Sequence, residues 1–128
     1  MDILLDTHTL LWWWTDDPQL PATARARIAN ADNRILVSAA SAWEIATKHR
    51  LGKLSEAGEA LVRFNELVAA DGFQHLPVNY LHCLKAGTYP VEHRDPFDRI
   101  LAAQSELESA SLLTRDPAFA DFGTRAIW

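Results

Sequence analysis

Short apolar runs alternate along the chain with longer segments in which apolar residues recur at helical spacing. The short runs are typical of buried strands. They predict five strands, over residues 3–5, 34–37, 73–78, 111–114 and 126–128. The longer segments predict six helices, over residues 7–14, 22–31, about 39–50, 56–70, 79–86 and 96–109. Either Ser38 or Ser41 can cap the third helix.

The alternation of strands and helices predicts the fold class. Strands joined by helices usually run parallel, in a sheet that helices cover on both faces. We therefore expect an α/β protein with a mainly parallel central sheet. The 128 residues suit a single domain over 1–128, because two cores of normal size would not fit.

Composition and charge narrow the class of protein. Apolar residues make up 48% of the chain and charged residues 23%, which is typical of a soluble globular protein. The net charge of −5 argues against a strongly basic nucleic-acid-binding surface. Cys83 is the only cysteine, and the opening MDILLD is unlike a secretory signal. These features predict a cytoplasmic protein without a membrane segment.

Four acidic residues fall near the ends of the predicted strands. Asp6 ends the first strand, Asp116 follows the strand at 111–114, and Glu44 and Asp98 lie early in helices. Because sites in parallel sheets lie beyond the carboxyl ends of the strands, we expect the four carboxylates to converge. Like charges repel at close range, and oxygen ligands without His or Cys suit Mg²⁺ or Mn²⁺. Such an ion can activate water for a phosphoryl displacement.

Each of these acids also has a purely structural interpretation. Asp6 can cap the first helix, and Asp98 can interact favourably with the dipole of its own helix. Glu44 can close a capping box with Ser41, or form an ion pair one turn later. Asp116 precedes a proline, which is typical of a turn or a cap. Only the shared placement of the four acids favours a metal site.

Four stretches of the chain, LLDTHTLLWW, VSAASAWEIATKHRLGKL, HRDPFDRILAAQ and LLTRD, resemble in this order the PIN-domain ribonucleases. The resemblance covers residues 2–121 and points in particular to the VapC toxins of bacterial toxin–antitoxin pairs. It implies a three-layer α/β/α sandwich with a short, mainly parallel sheet. It also implies a Mg²⁺- or Mn²⁺-dependent endoribonuclease. Such toxins bind an antitoxin protein in a groove that includes the first helix, and they often form homodimers.

The resemblance assigns roles to particular residues. The acids that hold the metal and catalyse RNA cleavage in the family fall on Asp6, Glu44, Asp98 and Asp116. The small hydroxyl residues that often line the family's site fall on Thr7, Ser38 and Thr114. Asp95 is additional to the four acids, and we expect it to cap its helix with a smaller chance of a direct role.

Basic residues beside the acids offer contacts to the phosphates of RNA. Leaving the four acids of the site out of the net charge of −5 gives −1. The basic residues near the acids in sequence are Arg99 and Arg115, with Lys48, Arg50, Lys53 and Arg94 as further candidates. They could hold phosphates around a negative centre, or they could be solvated surface charges.

Trp12, Trp13 and Trp14 are consecutive in the first predicted helix. Successive helical residues are rotated by about 100°, so the three indoles cover about 200° of the helix surface. We therefore expect at least one exposed indole that binds a partner protein. The alternative is that a neighbouring helix covers the third indole.

Two other functions compete with the ribonuclease hypothesis. A small metal-dependent phosphatase of the haloacid dehalogenase type also has an aspartate after its first strand. It needs a second aspartate two positions later, where this chain has His8. A degenerate PIN scaffold that only binds RNA or protein is the other alternative. The presence of all four acids argues against it.

Overall fold

Five strands form one sheet in the computed structural model, which describes all residues 1–128. The strands are β1 (Asp2–Leu5), β2 (Arg34–Ser38), β3 (Gln74–Leu76), β4 (Ser111–Leu113) and β5 (Ala126–Ile127). Their order in the sheet is β3-β2-β1-β4-β5, and every neighbouring pair is parallel. The predicted parallel sheet is confirmed, and β1 lies at its centre.

Seven α-helices and two 3₁₀ segments surround this sheet. The helices are α1 (Thr7–Trp14), α2 (Ala22–Ala29), α3 (Ala39–Arg50), α4 (Gly58–Val62), α5 (Phe64–Ala70), α6 (Tyr80–Thr88) and α7 (Pro96–Leu107). The 3₁₀ segments are Ser55–Ala57 and Pro117–Phe122. None of the helices is long and apolar enough to cross a membrane.

Alternate residues of β1 face opposite sides of the sheet and enter two separate cores. Ile3 and Leu5 belong to a cluster of 16 buried residues that includes side chains of α1, α2, α4 and α5. Leu4 belongs to a second cluster of eight, with side chains of α7 and of the segment Pro117–Phe122. Helices therefore cover both faces of the sheet, which confirms the predicted three-layer α/β/α sandwich.

Local signals explain where several elements begin and end. Ser38 caps α3, because its Oγ accepts a hydrogen bond of 2.9 Å from the backbone N–H of Ala40. Gly52 follows this helix with φ of 76°, a left-handed conformation that glycine adopts without strain. β3 ends at Leu76, shorter than predicted, because Pro77 has no N–H to donate to a sheet.

The helix predicted over 56–70 is interrupted. α4 and α5 are separated at Arg63, whose φ of −110° and ψ of 19° lie outside the helical region. No proline or glycine stands at this point, so the sequence carries no local signal of the break. The guanidinium of Arg63 bridges Glu59 on one helix and Glu66 on the other.

Candidate active site

Asp6 lies directly after the central strand β1 and is 7% exposed. Its Oδ1 accepts a 2.7 Å hydrogen bond from the N–H of Thr7, so Asp6 caps α1. Its Oδ2 accepts a hydrogen bond of 2.7 Å from the hydroxyl of Thr114. Burial raises the pKa of Asp6, and the nearby charge of Glu44 raises it further against the lowering effect of Thr114. Asp6 therefore caps α1, as its structural interpretation predicts. It also lies in a buried acidic site.

Thr114 connects two strand ends of the site through one hydroxyl group. Its Oγ1 donates to Asp6 and accepts a 3.0 Å hydrogen bond from the backbone N–H of Asp116. Thr114 itself is buried immediately after β4. A single side chain therefore fixes the carboxylate after β1 relative to the backbone after β4.

Glu44 lies in the second turn of α3 and is 3% exposed. Its Oε2 pairs with the ammonium of Lys48 one turn later. Its Oε1 is buried and has no hydrogen-bond partner. The capping box expected with Ser41 is not formed, because α3 begins at Ala39 under the cap of Ser38. Glu44 is thus a buried carboxylate with one oxygen unused.

Asp98 lies in the first turn of α7, behind the cap that Asp95 supplies. Burial raises the pKa of Asp98 to about 7. The negative charges of Asp95, Asp6 and Glu44 also raise this pKa. His93 opposes them, because its Nε2 lies 2.8 Å from Oδ2 of Asp98 in a hydrogen bond. Asp98 therefore shares its electrostatic environment with three other acids.

Asp116 has a different position from the other three acids. It is exposed, and its Oδ1 caps the segment Pro117–Phe122 by accepting from the N–H of Ala118 at 2.9 Å. It lines a cavity of about 580 Å³ together with Asp6. Asp116 therefore lies at the rim of the site. Thr114 connects its backbone N–H to Asp6 by hydrogen bonds, and both acids line the same cavity.

The four predicted carboxylates do not close around one point. No group of three or more His, Cys, Asp or Glu side chains is arranged closely enough to hold a metal ion in this structure. Hydrogen bonds and an ion pair already engage oxygens of these acids, and like charges repel. The structure brings Asp6, Glu44 and Asp98 into one electrostatic cluster and leaves Asp116 at its edge.

The chemistry of the cluster nevertheless fits a hard divalent cation. The donors are carboxylate oxygens, which Mg²⁺ and Mn²⁺ prefer. The unpartnered Oε1 of Glu44 is the kind of buried oxygen that an ion would satisfy. Burial, together with repulsion between the acids, raises the pKa values of Asp6 and Asp98, and a bound cation would offset both effects.

Comparison with known proteins decides the family. A sequence model described as PIN domain matches residues 3–124. The chain belongs to the PIN domain family. PIN domains are typically nucleases and generally use divalent metal ions. A comparison with curated proteins gives no match.

Two solved structures have the fold of this PIN domain. One is VapBC2 from Rickettsia felis bound to a DNA fragment from their promoter; it is 14% identical with a TM-score of 0.72, over 99% of this chain and 98% of that chain. The other is FitAB bound to an IR36 DNA fragment; it is 20% identical with a TM-score of 0.63, over 98% of this chain and 93% of that chain. At these identities the likeness supports the fold.

The hydroxyl residues expected near the acids, Thr7, Ser38 and Thr114, are all buried in the PIN domain. The hydroxyls of Thr7 and Ser41 are 2.9 Å apart in a buried hydrogen bond that joins α1 to α3. Ser38 is fully buried at the end of β2. The sequence pattern indicated only a capping role for Ser41, because its hydrogen-bond partner lies 34 residues away.

Arg99 is engaged by the protein backbone rather than turned toward a substrate. Its guanidinium donates hydrogen bonds of 2.7–2.9 Å to four carbonyl oxygens, those of Ala86, Tyr89, Val91 and His93. These bonds hold the loop that carries His93, the residue that contacts Asp98. No sequence pattern indicated this role of His93, since only the fold brings its ring to the carboxylate of Asp98.

The three tryptophans of α1 are all half-buried, so the expected exposed indole is wrong. The Nε1 groups of Trp13 and Trp14 both donate to Oδ2 of Asp71, at 3.1 and 2.8 Å. Trp12 packs edge-on against Trp128 at the end of the chain. Residues distant in sequence therefore cover part of each of these indoles. The exposed tryptophan is instead Trp43 on α3, which is 55% exposed.

The hydroxyl of Thr114 can be tested by a matched pair of substitutions. Thr114→Val keeps the side-chain shape and leaves Oδ2 of Asp6 and the N–H of Asp116 without their partner. We expect a loss of about 1–3 kcal/mol in the free energy of unfolding, measured by urea denaturation. Thr114→Ser keeps the hydroxyl and should lose about 1 kcal/mol or less. A valine variant as stable as the wild type would show that these two hydrogen bonds contribute little.

Proposed function

We propose that this PIN domain is a metal-dependent endoribonuclease that hydrolyses phosphodiester bonds of RNA in the cytoplasm. Asp6, Glu44, Asp98 and Asp116 would hold Mg²⁺ or Mn²⁺. The observation that carries the proposal is the unpartnered, buried Oε1 of Glu44 within a cluster of acids. A bound ion would supply an activated water and stabilise the negative charge that develops at the phosphate.

The surrounding side chains prepare this cluster. Thr114 orients Asp6, and His93 orients Asp98 through its hydrogen bond. Lys48 pairs with Oε2 of Glu44, and the buried Oε1 has no hydrogen-bond partner. Partial burial lowers the pKa of Lys48, but the hydrogen bond and charge of Glu44 outweigh this effect and raise it. Lys48 therefore stays positively charged and offsets part of the negative charge of the site.

Glu44→Gln tests the metal assignment. Glutamine keeps the size of the side chain and removes the charge, so we expect RNA cleavage in Mg²⁺ or Mn²⁺ to fall by about 100-fold or more. Glu66→Gln, on the exposed surface of α5, should cleave at the wild-type rate. Initial rates on an unstructured RNA, with metal titrated, give the measurement, and thermal unfolding verifies the fold. Wild-type activity of Glu44→Gln at limiting metal would defeat the assignment. A wild type inactive in every metal would favour a degenerate scaffold.

We also propose that the enzyme is the toxin of a toxin–antitoxin pair, inhibited by a cognate antitoxin protein. The support is the PIN fold shared with the chains of VapBC2 and FitAB. A groove along α1 offers the binding surface. It consists of the cavity beside Asp6 and two further cavities of about 190 and 410 Å³. Glu56 lines the first two cavities, and Trp14 and Leu67 line the last two.

The charge of this α1 groove favours a basic partner segment. Glu56 and Glu59 line it near the acidic site, and Asp16 and Asp71 line its far end. Two of its arginines, Arg25 and Arg63, are already paired with acids, whereas Arg115 in the cavity beside Asp6 forms no ion pair. Trp13 and Trp14 add apolar surface, and Trp12 lines the cavity nearest Asp6. A basic antitoxin tail with apolar anchors would therefore fit, and a basic side chain could reach the acids or displace their metal.

Charge reversal of Glu59 tests the α1 groove. Glu59→Lys should slow association with the antitoxin by about three- to tenfold at low salt, and the difference should shrink at high salt. Glu66→Lys is the matched control, because Glu66 pairs with the same arginine but does not line the groove. Association rates measured by surface plasmon resonance at two ionic strengths give the comparison. Equal rates for both variants would place the antitoxin elsewhere.

We propose, finally, that the protein forms a homodimer through α6. Tyr80, Leu81 and Leu84 are all exposed on this helix, and Leu84 is 61% exposed. Exposed apolar side chains grouped on one helix are typical of a protein interface. Trp43 on α3 is a further exposed apolar residue.

A charge placed on α6 tests the dimer. Leu84→Glu should convert a dimer into a monomer in sedimentation analysis, because a carboxylate would be buried without a partner. Leu107→Glu, at an exposed leucine of α7, should leave the sedimentation coefficient unchanged. A wild type that sediments as a monomer at all concentrations would contradict the proposal.

A further inference from the structure

Arg115 is held over the face of an aromatic ring beside the acidic site. The centre of its guanidinium lies 4.4 Å from the centroid of the Trp12 ring. One of its terminal nitrogens donates a hydrogen bond of 2.7 Å to Oε1 of Gln19. The planar group is thus fixed by a cation–π contact on one side and a hydrogen bond at its edge.

Trp12 is itself a firm support. Its ring meets Trp128 edge-on, with centroids 6.2 Å apart at 72°. His8 lies next to it on α1, with centroids 5.9 Å apart at 32°. Trp12 is half-buried, whereas Arg115 and His8 are exposed. The guanidinium of Arg115 and the imidazole of His8 therefore form the outer surface of this group of side chains.

This surface faces the same cavity as two acids of the site. Trp12, His8 and Arg115 line the cavity of about 580 Å³ that Asp6 and Asp116 also line. Arg115 has no carboxylate partner, whereas Lys48 is paired with Glu44. A positive, planar group without an ion-pair partner thus stands next to the carboxylates.

Unpaired bases of RNA stack on aromatic rings and on arginine planes. Trp12 lies against the Arg115 guanidinium on one side, and Arg115 is exposed and lines the cavity. A base within a duplex has both faces covered by its neighbours, so it offers no free face. The geometry therefore suits an unpaired nucleotide whose phosphate reaches the acids.

We propose that Arg115, supported by Trp12, binds an unpaired nucleobase directly next to the scissile phosphate. The proposal rests on the ribonuclease function and adds to it a specificity-determining residue. The stacked base would position the phosphate at the carboxylates and restrict cleavage to single-stranded segments. The positive charge of Arg115 would also attract the RNA backbone toward an acidic site.

The test combines a protein variant with a missing base. An unstructured RNA with a mapped cleavage position is prepared intact, and with an abasic nucleotide on either side of the scissile phosphate. For the wild type we expect one of the abasic substitutions to lower kcat/KM by about tenfold. Arg115→Lys keeps the positive charge but removes the planar guanidinium. It should cleave the intact RNA about tenfold more slowly and show less than about a twofold further loss with the abasic RNA.

Arg125→Lys is the matched control. Arg125 is exposed just before β5, at the end of the strands opposite the acidic site. The Arg125→Lys variant should therefore show the full tenfold loss of kcat/KM with the abasic RNA. An equal loss of kcat/KM with the abasic RNA in the wild type and in Arg115→Lys would overturn the proposal. It would also be overturned if Arg115→Lys weakened only antitoxin binding and left every RNA measurement unchanged, since the cavity would then serve the protein partner.

A binding measurement separates this proposal from the ribonuclease function. If the wild type cleaves no RNA, that function fails, and fluorescence anisotropy in the same buffer decides the role of Arg115. We then compare an intact RNA with one in which every base is replaced by an abasic nucleotide. A tenfold loss of affinity in the wild type, absent in Arg115→Lys, would support base stacking. Equal affinities of the wild type for the two RNAs would refute it.

Discussion

The mutual repulsion of carboxylates buried at one end of the sheet is the constraint on which the site depends. Removing a carboxylate from water costs several kcal/mol unless hydrogen bonds or opposite charges compensate for it. Here Thr114 donates to Asp6, Lys48 pairs with Glu44, and His93 contacts Asp98. The compensation is incomplete, as the raised pKa values of Asp6 and Asp98 show. In the function that we propose, the residual negative potential would favour the binding of a cation.

The parallel sheet makes this concentration of charge unavoidable. All five strands run in the same direction, so the residues that follow β1 and β4 lie at one edge. Both faces of the sheet are covered by apolar clusters, which hold these ends in place. Several of the acids are also helix caps, as Asp6 and Asp95 are, and therefore have fixed backbone positions. In the function that we propose, structural and chemical roles would coincide in such side chains.

The cavity beside Asp6 receives both partners that we propose. Its wall carries a guanidinium and aromatic rings suited to RNA, and it is one end of the α1 groove proposed for the antitoxin. Occupation of the groove near Glu56 would therefore close the approach of the RNA. On these proposals, inhibition follows from steric competition within one continuous surface and requires no conformational change.

The sequence by itself determined the alternation of strands and helices, the parallel sheet and the cap at Asp95, and it narrowed the cap of α3 to Ser38 or Ser41. These features depend on local periodicity and on residues close to one another in the chain, which sequence patterns record directly. It also pointed to the acids at the strand ends, because a parallel sheet gathers such positions.

Only the tertiary structure decided which of those acids lie together and which neighbours each one has. It placed Asp116 at the rim, covered the indoles of α1 with Asp71 and Trp128, and turned Arg99 toward backbone carbonyls. Many of the contacts in the site join residues that are distant in the chain. The hydrogen bond between Asp6 and Thr114, for example, joins residues more than 100 positions apart. The physical reason is that the burial of a side chain depends on which distant segments pack against it, and local sequence does not specify that packing.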